Sequence, residues 1–256
     1  MTSPEGQRVL ITGADSTARI IAETFQQKGA RVFTCDVREE AVESIREGNP
    51  GIRSMVANVG DESDVIDLVS AAHTELGGID VLVNVVGVGG PTRPVEQITT
   101  EEWQQTLDIN LNGVFYTVRA VIPGMKERRH GAIVNFSSAS TRTRLPNRLP
   151  YITSKFAIEG LTLNLARELG PFNIRANAIL PGGIDNERLQ TIASRFAEER
   201  NSSVKKVMEE WLQFVSMRTL IQPQELADTV VFLCSHQARH ITGQLIGVDG
   251  NQEWED

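Results

Sequence analysis

Short apolar runs rich in β-branched residues alternate with longer stretches of helical periodicity along almost the whole chain. This alternation is typical of βαβ units, in which a strand joined to the next by a helix must return parallel. Parallel strands buried on both faces read as continuous apolar runs, as these do. The sequence therefore predicts an α/β fold: one domain over residues 1–256 whose seven-stranded, doubly wound parallel sheet has helices on both faces. The predicted strands are RVLITG, ARVFTCD, IRSMVAN, IDVLVNVVG, GAIVNFSS, IRANAILPG and LIGVDG.

Composition excludes several classes of function. No apolar run approaches the roughly 18 residues that span a bilayer, and MTSPEGQRVLITG lacks the basic start and apolar stretch of a signal peptide. Cys35 and Cys234, with four scattered histidines, give neither a disulfide framework nor metal-ligand spacing. The net charge of −8 disfavours nonspecific attraction to nucleic acid. We expect a soluble, cytoplasmic protein that binds no metal, membrane or nucleic acid.

The first predicted strand ends at Thr12-Gly13, and a helical pattern follows within a few residues. In a doubly wound sheet this is where ligands bind, and a helix N-terminus offers N–H groups and partial positive charge to a pyrophosphate. Asp36 lies 23 residues after Gly13 and ends the second strand, where a carboxylate binds an adenosine ribose and repels a 2′-phosphate. Alone, Gly13 fits a plain turn and Asp36 a helix cap. Together they favour a dinucleotide site that prefers NAD to NADP.

Tyr151 and Lys155, in the stretch YITSK, lie four residues apart on a predicted helix and therefore on one helix face. A phenol with an ordinary pKa of about 10 is a poor acid or base near neutrality, but an adjacent ammonium stabilises the phenolate and lowers that pKa. The pair predicts a tyrosine that exchanges a proton with an alcohol or a carbonyl.

Seven segments, in order along nearly the whole chain, carry a resemblance to a known family. They are TGADSTARIIAE, NVVG at residues 84–87, DINLNG, IVNFSSAS, YITSK, ILPGGI and ITGQLIGVDG. With these segments the chain resembles the classical short-chain dehydrogenase/reductases. The resemblance implies a Rossmann-type fold and hydride transfer between a nicotinamide cofactor and an alcohol or ketone.

The resemblance also implies roles for four catalytic residues. Tyr151 would be the general acid/base, and Ser138 would hydrogen-bond the substrate oxygen. Ser138 is selected over Ser137 because the family's serine lies 13 residues before the tyrosine, as Ser138 does here. Lys155 would bind the nicotinamide ribose and assist the tyrosine, while Asn110 would position a lysine-bound water for proton relay.

Further positions match the family's cofactor contacts. Val85 and Val86 replace the asparagine and alanine common in the family, which should exchange a hydrogen bond for packing. The predicted cofactor-binding residues are Gly13, Ser16, Thr17, Ala18, Asp36, Asn58, Val59, Asn84, Gly87, Tyr151, Lys155, Pro181, Gly182 and Ile184.

The glycine-rich loop departs from the family, because only Gly13 remains of three glycines. An ungapped match puts Thr17 and Arg19 at the other two positions, whereas a loop one residue shorter puts Ala18 at the last. We prefer the shorter loop, because Ala18 then opens an apolar helix face where helix meets strand. Ser16 and Thr17 would add donors to phosphate. Replacing a left-handed glycine costs roughly 1 kcal/mol, which we expect the rebuilt loop to avoid.

Three arginines, Arg142, Arg144 and Arg148, lie within seven residues beside the catalytic pair, and Arg93 follows the fourth strand. Guanidinium suits bidentate recognition of carboxylate, sulfonate or phosphate, which would favour an anionic hydroxy or keto substrate. The same arginines also fit solvated loops or subunit contacts. The predicted substrate-binding residues are Ser138, Ser140, Arg142, Arg144, Arg148, Tyr151, Gly183 and Trp211.

Residues 185–222 form a charged, mainly helical insertion, which the resemblance implies covers the substrate. Its apolar stripe, Val204 to Val215, fits either a core or subunit contact, or a lid whose Trp211 or Met208 lines the pocket. The predicted long helices around Trp103–Lys126 and Tyr151–Leu169 resemble those through which family members assemble, which predicts a homotetramer.

Three functions remain open from the sequence. The first is an NAD-dependent dehydrogenase or reductase acting on a small polar secondary alcohol or ketone. The arginines beside the catalytic pair would favour an anionic substrate of this kind. The second is a nucleotide-sensing protein of the same fold without turnover, suggested by the altered glycine loop and opposed by the complete catalytic set. The third is an NADPH-dependent ketoacyl-type reductase, which Asp36 opposes.

Overall fold

The computed structural model describes residues 5–253, so the ends of the predicted domain, 1–4 and 254–256, lie outside it. Seven strands form at the predicted runs: β1 Arg8–Thr12, β2 Arg31–Asp36, β3 Ile52–Val56, β4 Val81–Asn84, β5 Gly131–Phe136, β6 Ile174–Pro181 and β7 Leu245–Val248. They build one sheet in the order β3-β2-β1-β4-β5-β6-β7, and every neighbouring pair is parallel. The predicted doubly wound sheet is confirmed.

Helices connect successive strands. They are α1 Ser16–Gln27, α2 Glu39–Gly48, α3 Glu62–Leu76, α4 Thr100–Leu107, α5 Gly113–Arg128, α6 Ser140–Thr143, α7 Leu149–Leu169, α8 Glu187–Glu199, α9 Val204–Leu212 and α10 Pro223–Cys234. The sheet separates two apolar cores, one containing side chains of α1, α2 and α10 and the other side chains of α3, α5 and α7. Helices therefore cover both faces, as βαβ connections require.

The predicted helix around Trp103–Lys126 is not regular. It begins with a capping box, in which the side chains and backbone N–H groups of Thr99 and Glu102 bond reciprocally. A π-helical turn, Asp108–Asn112, then separates α4 from α5. Such a turn inserts an extra residue and is frequent at functional sites.

The strand order reverses between β1 and β4, because the chain leaves β1 towards β2 and β3 and returns to its other side. Thr12 Oγ joins the two strand ends by accepting hydrogen bonds from Val85 N at 3.0 Å and Val86 N at 3.3 Å. The crevice at this switch point is the expected ligand site of a doubly wound sheet. Within residues 5–253, no helix has the length and apolarity needed to cross a membrane.

Candidate active site

The loop after β1 follows the shorter alignment. Gly13 has φ +99°, and a Cβ there would lie 2.9 Å from that of Ala18, which is buried where α1 meets the sheet. Asp15 caps α1 by accepting a hydrogen bond from Ser16 N. Ser16 is exposed and Thr17 buried at the first turn of the helix. The expectation that the loop avoids left-handed strain is wrong, because Ser16 itself has φ +49°. Even one residue shorter, the chain still needs a left-handed residue to enter the helix.

The end of β2 carries more charge than the sequence indicated. Asp36 accepts hydrogen bonds from Ala14 N at 3.2 Å and from Arg38 N at 3.1 Å. Arg38 bridges the two loops, with Nε 3.2 Å from Asp36 Oδ1 and Nη2 2.8 Å from Asp15 Oδ2. The hydrogen bond from Arg38 lowers the pKa of Asp15 below its ordinary value. Asp15 and Arg38 were not predicted, and two carboxylates with one guanidinium leave this end of the crevice with net charge −1.

The predicted tyrosine–lysine pair forms on α7. Lys155 Nζ lies 5.8 Å from the centroid of the Tyr151 ring and donates a 2.7 Å hydrogen bond to the carbonyl of Phe136, at the end of β5. Lys155 is only 4% exposed. Burial, with the nearby positive charge of Arg188, lowers the pKa of the lysine to about 8. The ammonium is therefore held in a dry position beside the phenol.

The two serines after β5 have different partners. Ser137 Oγ donates to a Glu159 carboxylate oxygen at 2.7 Å, within the buried contact between β5 and α7. Ser138 Oγ accepts a 3.1 Å hydrogen bond from Ser140 N, which leaves its own proton available. Of the two hydroxyl groups, that of Ser138 is therefore the one free to donate to another molecule, and the backbone N–H of Ser140 fixes its orientation.

Asn110 lies in the π-helical turn and is fully buried. Its amide makes three hydrogen bonds: Oδ1 accepts from Val88 N at 2.7 Å, and Nδ2 donates to Val88 O and Ser154 Oγ, both at 3.0 Å. A Cβ on Gly87 would lie 3.3 Å from Asn110 Oδ1 and 3.2 Å from Lys155 Nζ. Asn110 thus holds the loop after β4 against the lysine, and both donors of its side chain are already used.

Asn84 and the two valines after it belong to the interior. Asn84 Nδ2 donates to Asn135 Oδ1, and its Oδ1 accepts from Thr117 Oγ, both at 2.9 Å. Because the Asn84 side chain is committed to this buried network, only its backbone remains for a cofactor. Val85 and Val86 pack against opposite cores, as expected if valine at the position of the family's asparagine exchanges a hydrogen bond for apolar packing.

The loop after β3 lies against the start of α5. A Cβ on Gly113 would approach Val59 O to 2.7 Å, so a glycine is needed at this contact. Val59 is buried, whereas Asn58 is exposed and accepts a hydrogen bond from Gly60 N through Oδ1.

The segment after β6 is fixed from both sides. A Cβ on Gly182 would meet the backbone of the strand-end residue Asp249 at 2.9 Å. Gly183 O accepts a hydrogen bond from Ile221 N, and Ile184 forms an isolated parallel bridge with Ile221. Pro181 is buried beside them. The insertion of residues 185–222 therefore leaves and rejoins the fold at one point.

Two of the arginines considered for anion binding already have carboxylate partners. Arg142 Nη1 lies 3.1 Å from Asp249 Oδ2, and Arg93 Nη2 lies 3.0 Å from Glu102 Oε1. Arg144 is exposed, directly after α6. The ion pair with Asp249 favours a structural role for Arg142 at the C-terminal strand, and its anion-binding role stays a prediction.

Arg148, in contrast, lies in the site. Its Cζ is 4.8 Å from the centroid of the Tyr151 ring, and its Nη2 donates to Gly89 O at 3.2 Å. Arg188, on α8, donates through Nη1 to Gly87 O at 3.1 Å. Arg188 was not predicted: it lies only four residues after the predicted Ile184, but outside the ILPGGI motif and at the start of a charged helix.

The apolar stripe of the insertion is mainly local core. Trp211 packs edge-to-face on Phe196 with ring centroids 5.6 Å apart, in the small cluster around Val207 that joins α8 to α9. This position favours the core interpretation over a pocket-lining role for Trp211. The N-terminus of α8 contacts the loop after β1, where Asn186 Nδ2 donates to Ser16 Oγ at 3.3 Å.

Comparisons with known proteins find relatives over nearly the whole chain. A family model described as Enoyl-(Acyl carrier protein) reductase matches residues 12–250. The chain is 34% identical to 3-oxoacyl-[acyl-carrier-protein] reductase FabG of Thermotoga maritima over 96% of this chain and 97% of that protein. A solved structure of NAD+-bound xylitol dehydrogenase superposes with TM-score 0.90 at 30% identity, covering 97% of this chain and 100% of the other. A single-residue variant of actinorhodin polyketide ketoreductase with NADPH gives TM-score 0.89 at 28% identity over 98% of both chains.

Proposed function

This chain belongs to the short-chain dehydrogenase/reductase family of oxidoreductases, and we propose that it transfers hydride between NAD(H) and a small polar secondary alcohol or ketone. One observation carries the proposal. The buried ammonium of Lys155 lies 5.8 Å from the centroid of the Tyr151 ring and bonds the carbonyl of Phe136, two residues before Ser138, whose hydroxyl proton is free. A protein that only senses nucleotides does not need this arrangement.

The residues present fit a nicotinamide dinucleotide. The N-terminus of α1, where Asp15 already accepts from Ser16 N, would hold a pyrophosphate through its partial positive charge and the N–H of Thr17, and Gly13 has no side chain to fill the loop beside it. When bound, the nicotinamide ring accepts or donates the hydride. Ser138 would donate a hydrogen bond to the substrate oxygen while Tyr151 exchanges a proton with it, and the charge of Lys155 would stabilise the phenolate. In this proposal Ser138, Tyr151 and Lys155 together stabilise the charge that develops on the substrate oxygen.

NAD is the proposed cofactor because of charge at the end of β2. Asp15 and Asp36 outnumber Arg38, so a 2′-phosphate would meet net negative charge. Fluorescence titration should give a lower Kd for NADH than for NADPH, and Asp36→Asn should reduce that preference. Tighter binding of NADPH by the unaltered protein would overturn the cofactor proposal. It would then favour the NADPH-dependent alternative, which the NADPH-bound polyketide ketoreductase among its relatives exemplifies.

The catalytic proposal is tested with the two tyrosines of the chain. Tyr151→Phe should abolish NADH formation across a panel of secondary alcohols while circular dichroism and NADH binding stay unchanged. Tyr116→Phe, on α5, is the matched control and should remain active. If the unaltered protein binds NADH but turns over no alcohol or ketone in the panel, the nucleotide-sensing alternative replaces the proposal.

A homotetramer is part of the proposal. Apolar side chains on α5 and α7 remain about half exposed in the single chain, among them Phe115, Phe156 and Leu163. Such exposure over two neighbouring helices is typical of a surface that another subunit covers. Light scattering that gives the mass of a monomer at micromolar concentration would refute the assembly.

A further inference from the structure

Two guanidinium groups converge on the loop that follows β4. Arg148 reaches it from the start of α7 and bonds Gly89 O, while Arg188 reaches it from α8 and bonds Gly87 O. A Cβ on Gly89 would lie 3.3 Å from Arg148 Nη2 and 3.5 Å from Arg188 Nη2. The two nitrogens therefore lie close to Gly89, which has no side chain to fill the space between them.

Neither guanidinium has an ion-pair partner within residues 5–253, in contrast to Arg93 and Arg142 nearby. Arg148 Nε is buried and has no hydrogen-bond partner in the same part of the chain. Lys155 adds a third positive charge, since its Nζ would lie 3.2 Å from a Cβ on Gly87. Holding three positive charges close together without counterions is unfavourable. An oxyanion that accepts hydrogen bonds from the two guanidinium groups would remove this repulsion.

The position of the two guanidinium groups points to the substrate rather than to the cofactor phosphates. Arg148 stacks on the Tyr151 ring, and its segment is tied to the loop after β4 by the hydrogen bond from Arg93 N to Asn147 O. The pyrophosphate is expected instead at the N-terminus of α1. An anion touching both arginines would therefore lie beside the proton-exchanging phenol.

We propose that Arg148 and Arg188 bind a carboxylate on the substrate, so that the enzyme acts on hydroxy acids and the corresponding keto acids. This inference rests on the proposed function and narrows its substrate class. It also gives the insertion a role, because Arg188 comes from α8. Two planar guanidinium groups match the geometry of a planar carboxylate better than a single ammonium does.

The test is equilibrium binding of malonate and malonamide to the enzyme–NADH complex by calorimetry, with NADH affinity measured separately. The unaltered protein should bind malonate at least tenfold more tightly than malonamide. Arg148→Gln and Arg188→Gln should each remove roughly tenfold of that preference and change the Kd for NADH less than twofold. Lys205→Gln, an exposed charge of the same insertion, is the control and should leave both affinities unchanged.

Equal binding of malonate and malonamide would overturn the carboxylate site. So would an Arg188→Gln variant that loses NADH affinity by the same factor as malonate affinity, because that guanidinium would then serve the cofactor phosphates. A turnover comparison of 3-hydroxybutyrate with its methyl ester separates the two proposals. Faster turnover of the ester refutes the carboxylate site alone. Binding of malonate without turnover of 3-hydroxybutyrate, its ester or any compound of the alcohol and ketone panel refutes the proposed hydride transfer alone.

Discussion

Replacing Lys155 by methionine should stabilise the protein near neutral pH although it removes a residue that the proposed chemistry needs. Burial is the main reason that the pKa of this lysine falls from 10.5 to about 8 in the folded chain. At about 1.4 kcal/mol for each pKa unit, holding the charged lysine costs the folded state on the order of 3 kcal/mol. Methionine is similar in length and apolar, so it carries no such penalty.

The gain is partly offset. Lys155 Nζ donates to Phe136 O at 2.7 Å, and the variant leaves that carbonyl without this donor. An unsatisfied buried acceptor costs roughly 1–3 kcal/mol. We therefore expect Lys155→Met to raise the free energy of unfolding by about 1 kcal/mol near pH 7.

The pH dependence gives the sharper test. Below pH of about 8 the lysine is charged in both the folded and the unfolded chain, so the full penalty applies. Between about 8 and 10.5 the folded protein has lost the proton while the unfolded chain still binds it, so stability rises with pH and the penalty disappears above 10.5. Relative to the methionine variant, the unaltered protein should gain about 2 kcal/mol between roughly pH 7 and pH 9.5.

Urea unfolding followed by circular dichroism, without cofactor, measures this difference at both pH values. Subtracting the variant from the unaltered protein removes the titration of all other groups. A variant that is less stable near neutrality, together with a stability difference that does not change with pH, would refute the claim that a desolvated charge is held at this position.

Five further substitutions test the geometry by thermal and chemical unfolding and, for the two serines, also by turnover. Gly113→Ala should destabilise by about 1–3 kcal/mol, because its Cβ would lie 2.7 Å from a carbonyl oxygen, whereas Gly160→Ala, with open space around it, should be neutral or stabilising by up to about 1 kcal/mol. Ser138→Ala should abolish turnover and cost less stability than Ser137→Ala, because it removes the acceptor of one part-buried N–H, whereas Ser137→Ala leaves a buried carboxylate without its donor and should lower stability by roughly 1–3 kcal/mol; the reverse pattern would contradict the assignment. Ser16→Gly should stabilise by about 1 kcal/mol, because glycine adopts the left-handed backbone of this position without strain; an unchanged unfolding midpoint would contradict this.

The fold and the tyrosine–lysine pair on one helix face could be predicted from sequence because their signals are local. Continuous apolar runs indicate buried parallel strands, and the spacing of Tyr151 and Lys155 places them on one helix face wherever that helix packs. The capping box at Thr99 and Glu102 is predictable for the same reason, since all its partners lie within one helical turn.

What the sequence did not provide depends on which segments meet in space. Arg142 and Arg148 look equivalent along the chain, but one faces Asp249 across the sheet end and the other faces Tyr151. Arg188 enters the site only because α8 folds back over the loop after β4. Charge pairing at loops is set by tertiary contacts, so residue type and spacing alone do not assign it.

The altered glycine loop shows why loss of a motif need not mean loss of a function. The three positions of the loop differ in what they do physically, because Gly13 makes the close approach, Ser16 takes the left-handed backbone and Ala18 packs where helix meets strand. A side chain at Gly13 would meet another atom at 2.9 Å, and that glycine is retained. Serine at the second position costs stability, on the order of 1 kcal/mol, but leaves the N–H groups of the helix N-terminus where a phosphate needs them. The substitutions therefore act on the stability of the loop and keep the features that the proposed dinucleotide site needs, which weakens the main motive for a non-catalytic role.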